Sequence, residues 1–213
     1  MNAFESHLDL SIGLIVGQPT VQRRLRDLRE SFDDSQAYEA ALAQDDPLVY
    51  TVSSVEPGEG AGDLHYGLGL IMPGQVGGEY YLTKGHVHHW RDAAEVYIGL
   101  GGEGMMLLED EATGESRALR LAAGIVVYVP PHAFHRTVNI GATPLTYLGV
   151  YPAQAGHDYG ALAERNFRQV VVSVDGGPVV IERETWRAMR NPARLSVVWM
   201  RKTDDGLRDE TYS

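Results

Sequence analysis

The sequence contains no cysteine. A disulfide framework, a thiolate metal site and thiol catalysis are therefore excluded. The absence is compatible with a reducing compartment, and we expect a cytoplasmic protein. No apolar run reaches the length that a membrane span needs. The first residues carry Glu5 and Asp9 and lack the basic start of a signal peptide, so we expect no membrane partner.

Positive charge is also scarce. The chain has 18 Lys and Arg residues against 29 Asp and Glu residues, which gives a net charge of -11 at pH 7. A surplus of negative charge argues against binding to nucleic acid. An anionic small molecule would need local attraction from a metal ion, from an Arg or Lys, or from hydroxyl and backbone N–H groups.

The N-terminal region carries the clearest helical pattern. Four apolar residues between Thr20 and Ala43 recur at helical spacing, which predicts a helix there: Val21, Leu25, Leu28 and Phe32. Asp33 and Asp34 interrupt this pattern, and Ser35 is expected to cap a second short helix that runs to Ala43. We assign residues 1–46 to an N-terminal arm with helices.

From Leu48 onward, short apolar runs alternate with Gly, Pro, Asn and Asp. This spacing predicts many short strands and hence an all-β sandwich or barrel over residues 47–177. A hairpin turn is expected at 112–115. Residues 178–213 form a C-terminal extension of unknown role, in which we expect a strand at 179–181, a helical turn within 183–194 and a strand at 195–200.

Histidines cluster in the segment GHVHHWRDAAE, residues 85–95. His86 and His88 lie two residues apart, and a strand directs such side chains to the same face. Glu95 follows a turn-like segment and opens the next strand, so that a hairpin would return its carboxylate to the imidazoles. His135 is a further candidate ligand. Imidazoles with one carboxylate suit a divalent first-row metal, and an ordinary surface or core role for these residues is the alternative.

Two segments carry a family resemblance. The first segment, GHVHHWRDAAE followed by a glycine-rich turn, resembles the first motif of the cupin superfamily. PPHAFHRTVN, which contains His135, resembles the second motif. Together with TKGH before the first motif and VYPAQAGHDYG after the second, the chain is similar to the cupin-type phosphoglucose isomerases of archaea and some bacteria. Two departures are His132, where an aromatic residue is expected, and Gly69, where a hydroxyl residue is expected.

The resemblance implies a double-stranded jelly-roll barrel that holds one divalent metal ion. The metal would be Fe(II), with Mn, Ni or Zn as alternatives, and a homodimer is expected. The implied metal ligands are His86, His88, Glu95 and His135. The implied substrate-binding residues near a phosphate are Tyr50, Thr83, Gly85 and Tyr151. The implied catalytic residues are Glu95, Tyr97, His157 and Tyr159.

The implied reaction interconverts glucose 6-phosphate and fructose 6-phosphate. Hydrogen would move between C1 and C2 either by proton transfer, with Glu95 as base, or by a hydride shift. Two side chains next to these positions are not assigned to the phosphate, because strand alternation would turn them away: Lys84 and Arg136. The competing functions are another metal cupin enzyme, such as a dioxygenase, and a non-catalytic cupin that senses sugars.

Overall fold

The computed structural model describes residues 3–163 and 165–190. Three α-helices and one 3-10 helix lie in this part of the chain: the 3-10 helix Leu25–Ser31, α1 Ser35–Gln44, α2 Gly160–Ala163 and α3 Arg183–Arg190. The strands are β1 Leu8–Asp9, β2 Leu14–Ile15, β3 Thr20–Arg24, β4 Leu48–Val55, β5 Leu64–Ile71, β6 Gln75–Val76, β7 Glu79–Tyr80, β8 Glu95–Gly101, β9 Glu103–Asp110, β10 Ser116–Ala122, β11 Val126–Val129, β12 Ala133–Asn139, β13 Leu145–Pro152, β14 Gln169–Val174 and β15 Gly177–Glu182.

The strands form antiparallel sheets that enclose one main core. The largest sheet has the order β11-β8-β13-β5-β4-β3, and the others have the orders β10-β9-β12, β15-β14-β7-β6 and β1-β2. The main core cluster takes residues from the six-stranded sheet, such as Tyr97, and from the facing sheets, such as Met106 and Val171. The expected all-β jelly-roll fold is confirmed. Among the described residues, no helix is long and apolar enough to cross a membrane.

Alternation along the strands selects the residues that point inward. In β8 the buried residues are Glu95, Tyr97 and Gly99, and partly exposed residues lie between them. β13 lies next to β8 and buries Tyr147 and Tyr151 in the same way. Because side chains on a strand point alternately to the two faces, both strands direct polar side chains into the barrel interior. The predicted hairpin at 112–115 joins β9 to β10 and is confirmed.

The predicted helix beginning at Thr20 is wrong for its first turn. Thr20–Arg24 is instead β3, which pairs antiparallel with β4, and helical structure starts at Leu25. The free edge of β4 provides backbone partners that outweigh the local helical pattern. The cap of α1 is also one residue earlier than predicted, because Asp34 accepts the hydrogen bond from the Ala37 N–H.

The C-terminal hairpin and helix pack against the barrel. The expected strand at 179–181 is part of β15, and the helical turn within 183–194 is α3. Arg183 of α3 is buried and donates hydrogen bonds to the Phe167 carbonyl and the Asp33 carboxylate. Trp186 donates to Glu79 Oε1 at 3.2 Å. The expected strand at 195–200 lies outside the described residues.

Replacing Arg183 with Met should destabilise the protein strongly. The Arg183 guanidinium lies between Asp33 and the fully buried Glu79, whose carboxylate is 3.8 Å away. Removing one member of a buried charged cluster leaves the others without a partner, which costs about 3–5 kcal/mol. Urea unfolding measures this loss.

The matched control for Arg183 is Arg120→Met, which removes an exposed ion pair with Glu103. Exposed ion pairs contribute little to stability, so the urea concentration at the midpoint of unfolding should stay near that of the parent protein. Equal midpoints for the two variants would contradict the role given to Arg183.

Candidate metal centre and cavity

A cavity of about 260 Å³ opens inside the barrel. Its wall is formed by strands of the six-stranded sheet, by β12, and by two loops that precede β8 and follow β13. Several polar residues expected from the sequence line this cavity, namely Tyr50, Thr83, Gly85, His86, Glu95, Tyr97, His135, Tyr151, His157 and Tyr159. His88 lies just behind the wall and contacts Glu95.

Three of the four expected metal ligands, His86, Glu95 and His135, meet in one small volume, and the fourth, His88, lies beside Glu95. Single ligand atoms of His86, Glu95 and His135 lie within 4.8 Å of one another. Glu95 Oε2 is 3.1 Å from His135 Nε2 and 3.4 Å from His88 Nε2. Glu95 comes from the start of β8 and His135 from β12, whereas His86 and His88 come from the loop before β8. The structure therefore brings together residues that are far apart in the sequence.

The inner atoms of this cluster have no hydrogen-bond partner among the described residues. These buried atoms are Glu95 Oε2 and the Nε2 atoms of His86, His88 and His135. Buried polar atoms are rarely left without partners, and a carboxylate is especially costly to bury alone. A divalent cation held by His86, Glu95 and His135 would satisfy three of these atoms, with His88 next to Glu95, so the residues present fit a metal ion.

The outer ring nitrogens of two histidines support this interpretation. His88 Nδ1 lies 3.2 Å from the Gly156 carbonyl oxygen, and His135 Nδ1 lies 3.2 Å from the Ala133 carbonyl oxygen. A carbonyl oxygen can only accept, so each Nδ1 must carry the proton. In the neutral imidazole, each Nε2 then presents a lone pair to the cluster, which is the form that binds metals.

Charge states inside the cluster also suit a cation. Burial opposes ionisation of Glu95, but the adjacent imidazoles of His135 and His88 outweigh it and bring the pKa of Glu95 down to about 2. Burial lowers the pKa of His86 well below its usual range, and the neighbouring imidazoles of His135, His157 and His88 lower it further. The cluster is thus a carboxylate beside a neutral imidazole ligand.

Backbone contacts hold the loop that carries His86 and His88. This loop is not a regular strand, contrary to expectation, and is fixed by isolated bridges between His86 and His135 and between Val87 and Asp158. Arg91 reinforces it, because its guanidinium donates to the His88 carbonyl and to the carboxylates of Glu111 and Asp158. The same contacts tie the His88 loop to the loop that carries His157.

Two glycines are required next to the cluster. Gly85 has a φ of 75°, and a Cβ there would lie 2.7 Å from the Phe167 ring. A Cβ at Gly149 would lie 2.7 Å from Glu95 Oε1. These positions accept only glycine because the backbone runs against the buried groups.

The expected catalytic side chains surround the cluster. Tyr97 is buried, and its burial, with the charge of Glu95, raises the pKa of its phenol well above the usual range. The His157 ring lies 4.5 Å from the His86 ring and stacks on Tyr159 at 6.1 Å, both measured between centroids. Desolvation lowers the pKa of His157, although Glu95 partly opposes the shift. A protonated phenol and a neutral imidazole are therefore available near pH 7.

The expected substrate-binding residues also line the cavity. Thr83 Oγ1 accepts a hydrogen bond from the Thr137 N–H at 3.1 Å, so its own proton is free to be donated. Burial raises the pKa of Tyr151 to about 12, so that its phenol stays protonated. Tyr50 and Gly85 complete this group.

Several cavity residues were not found by sequence reasoning. They are Arg23, Lys84, Glu56 and Tyr147. Arg23 was hidden by the wrong helix prediction, and Lys84 was excluded because strand alternation was assumed where the chain is irregular. Tyr147 could have been found, since it lies four residues before Tyr151 on the same strand face. Its ring also occupies the space beside Gly69, where a Cβ would lie 2.3 Å from it.

Arg136 is not among the residues that line the cavity, as expected. Its guanidinium donates to Asn166 Oδ1 and to the Lys84 carbonyl and lies over the Phe167 ring. His132, which with Gly69 departs from the family pattern, has a φ of 61°, and its Nε2 lies 3.1 Å from an Asp92 carboxylate oxygen. Neither residue touches the metal cluster.

Comparison with known proteins identifies the family. A family model described as glucose-6-phosphate isomerase matches residues 22–190. Glucose-6-phosphate isomerase of Pyrococcus abyssi is 42% identical over 181 residues, which cover 85% of this chain and 95% of that protein. The protein of that name from Pyrococcus horikoshii is 43% identical, and the match covers 84% of this chain and 95% of that protein. The one from Sinorhizobium medicae is 39% identical, and the match covers 84% of each.

Among solved structures, an oxalate oxidase matches at a TM-score of 0.45 and 16% identity, covering 53% of this chain and 56% of that chain. This likeness is too weak to bear on function. The family match, in contrast, extends over most of the chain, and the resemblance drawn from the two motifs is confirmed. The protein is a member of the glucose-6-phosphate isomerase family.

Proposed function

We propose that this protein interconverts glucose 6-phosphate and fructose 6-phosphate with the help of one divalent cation. The observation that carries this proposal is the group of four buried, unpartnered ligand atoms of His86, His88, Glu95 and His135 at the inner end of a cavity. Family membership and the names of the relatives support the choice of substrates.

The cation would be held by these four residues. When bound, it supplies positive charge that polarises a sugar carbonyl and stabilises oxygen atoms on adjacent carbons. Fe(II) is the proposed ion, with Mn, Ni and Zn as alternatives that nitrogen and carboxylate ligands also accept.

Glu95 has a role in either route of hydrogen transfer. In the proton-transfer route, its carboxylate accepts the proton from C2 and returns it to C1. In the hydride route, it serves to hold the cation. Gly149 keeps the space beside Glu95 Oε1 free of any side chain, and Tyr97 is positioned to donate a hydrogen bond from its protonated phenol toward a sugar oxygen.

His157 and Tyr159 are proposed to act on the sugar next to the metal cluster. A neutral His157 imidazole can accept a hydroxyl proton and return it to the ring oxygen when the sugar ring opens. Tyr159 stacks on His157 and would contact sugar hydroxyls. Tyr50, Thr83, Gly85 and Tyr151 are proposed to bind the phosphate through hydroxyl and backbone N–H groups.

A homodimer and a cytoplasmic location are part of this proposal. β11 is the last strand of the six-stranded sheet, and Val126 and Tyr128 on it are exposed. Sheet edges with apolar side chains are commonly covered by a partner. A second copy of this chain is the partner that we propose.

The function is tested by measuring fructose 6-phosphate conversion by the full-length protein with added Fe(II). We expect turnover that a chelator abolishes and that Fe(II) restores. Absence of turnover in metal-replete protein would rule the proposal out. Oxygen consumption would instead indicate a dioxygenase, and binding of the sugar phosphate without turnover would indicate a sensor.

The ligand set is tested by His88→Ala and His135→Ala. Each variant removes one inner Nε2 atom, so metal content and rate should both fall, with metal affinity lowered more than about ten-fold. Elemental analysis of the purified proteins measures the bound metal.

His132→Asn is the control for these ligand variants, because His132 lies outside the cluster and Asn tolerates its φ of 61°. Its metal content should match that of the parent. Normal metal loading in both alanine variants would refute the assignment.

The phosphate-binding role of Tyr151 is tested by Tyr151→Phe. Loss of one hydrogen bond to a charged group should raise KM for fructose 6-phosphate about ten-fold, with a smaller effect on kcat. Steady-state kinetics give both constants, and the exposed Tyr128, changed to Phe, is the control. An unchanged KM in Tyr151→Phe would contradict this role.

A further inference from the structure

Two cationic side chains lie at the mouth of the cavity. Arg23 and Lys84 line it and are exposed to solvent. Within residues 3–163 and 165–190, neither forms an ion pair with a carboxylate. Most other arginines of this acidic chain do have such partners, for example Arg91, Arg120 and Arg187. Two free cations beside one cavity therefore point to an anionic ligand.

The register of β3 places Arg23 in the wall. Arg23 lies directly opposite Tyr50 in the antiparallel β3–β4 pair, and opposite residues share a face of the sheet. Val21, two residues earlier, lines the same cavity. The register shifts between Arg23 and Arg24, and Arg24 turns away to donate to the Asp46 carbonyl. Of the two adjacent arginines, only Arg23 faces the cavity.

Lys84 approaches the mouth from the opposite loop. It lies between Thr83 and Gly85, in a stretch without regular strand structure, so that alternation does not turn it away. Its ammonium nitrogen is 5.6 Å from the centre of the Tyr159 ring. Its charge is therefore held near Tyr159 at the rim.

The Arg23 charge acts on two phenols of the cavity, Tyr50 and Tyr159, and the Lys84 charge lies near the second of them. Burial raises the pKa of Tyr50, and contacts with the Lys84 backbone and the Arg23 guanidinium offset part of the rise. Burial likewise raises the pKa of Tyr159, and Arg23 opposes it. Glu56 is the anionic residue of the outer wall, and its charge acts on Tyr151 and His157 instead. The mouth is thus positive on the side of Tyr50 and Tyr159.

We propose that Arg23 and Lys84 together bind the phosphate of the substrate, so that the protein has a higher affinity for phosphorylated sugars than for neutral ones. This inference rests on the proposed function for the class of substrate. Arg23 would supply a planar donor pair and Lys84 a compact charge, two kinds of contact that phosphate oxygens accept. The pair also provides the local attraction that a dianion needs near a protein of net charge -11.

The test uses Arg23→Gln, Lys84→Met and the double variant in metal-replete full-length protein. Each single change should raise KM for fructose 6-phosphate about ten-fold and keep kcat within about two-fold, because a charged contact to the non-reacting end of the substrate is lost. By calorimetry, affinity for sorbitol 6-phosphate should fall by a similar factor, and affinity for sorbitol should not change.

Two controls separate a local contact from general charge. Arg117→Gln makes the same change in net charge at an exposed residue outside this cavity and should leave KM unaltered. Arg23→Lys keeps the positive charge and should recover most of the affinity that Arg23→Gln loses.

The outcomes also separate this inference from the proposed function. An unchanged KM in the double variant, or equal losses of affinity for sorbitol and sorbitol 6-phosphate, would overturn the role of the cation pair while the isomerase activity stood. If the parent protein bound sorbitol 6-phosphate through Arg23 and Lys84 but did not convert fructose 6-phosphate, the cation pair would be supported and the isomerase function rejected.

Discussion

The buried carboxylate of Glu95 is the group on which the rest of the site depends. A carboxylate removed from water must be compensated by positive charge or by hydrogen bonds. Glu95 lies beside His88 and His135, whose outer nitrogens donate to backbone carbonyls, so that in the metal-binding tautomer their inner nitrogens present lone pairs to it. Lone pairs and a carboxylate oxygen do not satisfy one another. A cation would resolve this conflict, and the His86, Glu95 and His135 cluster fits one.

The barrel holds this cluster from two sides. β8 and β12 provide rigid positions for Glu95 and His135, whereas His86 and His88 lie on an irregular loop that is fixed by bridges to β12 and to the loop after β13. Arg91 links the two loops through hydrogen bonds to the His88 carbonyl and the Asp158 carboxylate. A disturbance of either loop therefore reaches both the ligands and His157. Precise positioning of this kind is what catalysis by oriented groups requires.

Charge is distributed unevenly over the molecule, and the distribution has a functional consequence. The chain has a net charge of -11, whereas the mouth of the cavity has two cations, Arg23 and Lys84, that form no ion pair among the described residues, and its inner cluster fits a further cation. A sugar phosphate in this cavity would place its phosphate near Arg23 and Lys84 and its sugar carbons near the ligand cluster. Away from the cavity, charge serves the fold, since Arg183 joins α3 to Asp33 and Glu79.

The sequence by itself determined the all-β class, the position of most strands after Leu48 and the candidate metal ligands, because period-two alternation and closely spaced ligands are local features. The other expected cavity residues came from the family resemblance. The sequence did not determine the conformation of residues 20–24 or the direction of Lys84. Those depended on the open edge of β4 and on the irregular path through Gly85, which arise only when distant segments pair. Local pattern thus sets which side chains are available, and tertiary contacts decide where the chain departs from regular structure and hence which charges reach the cavity.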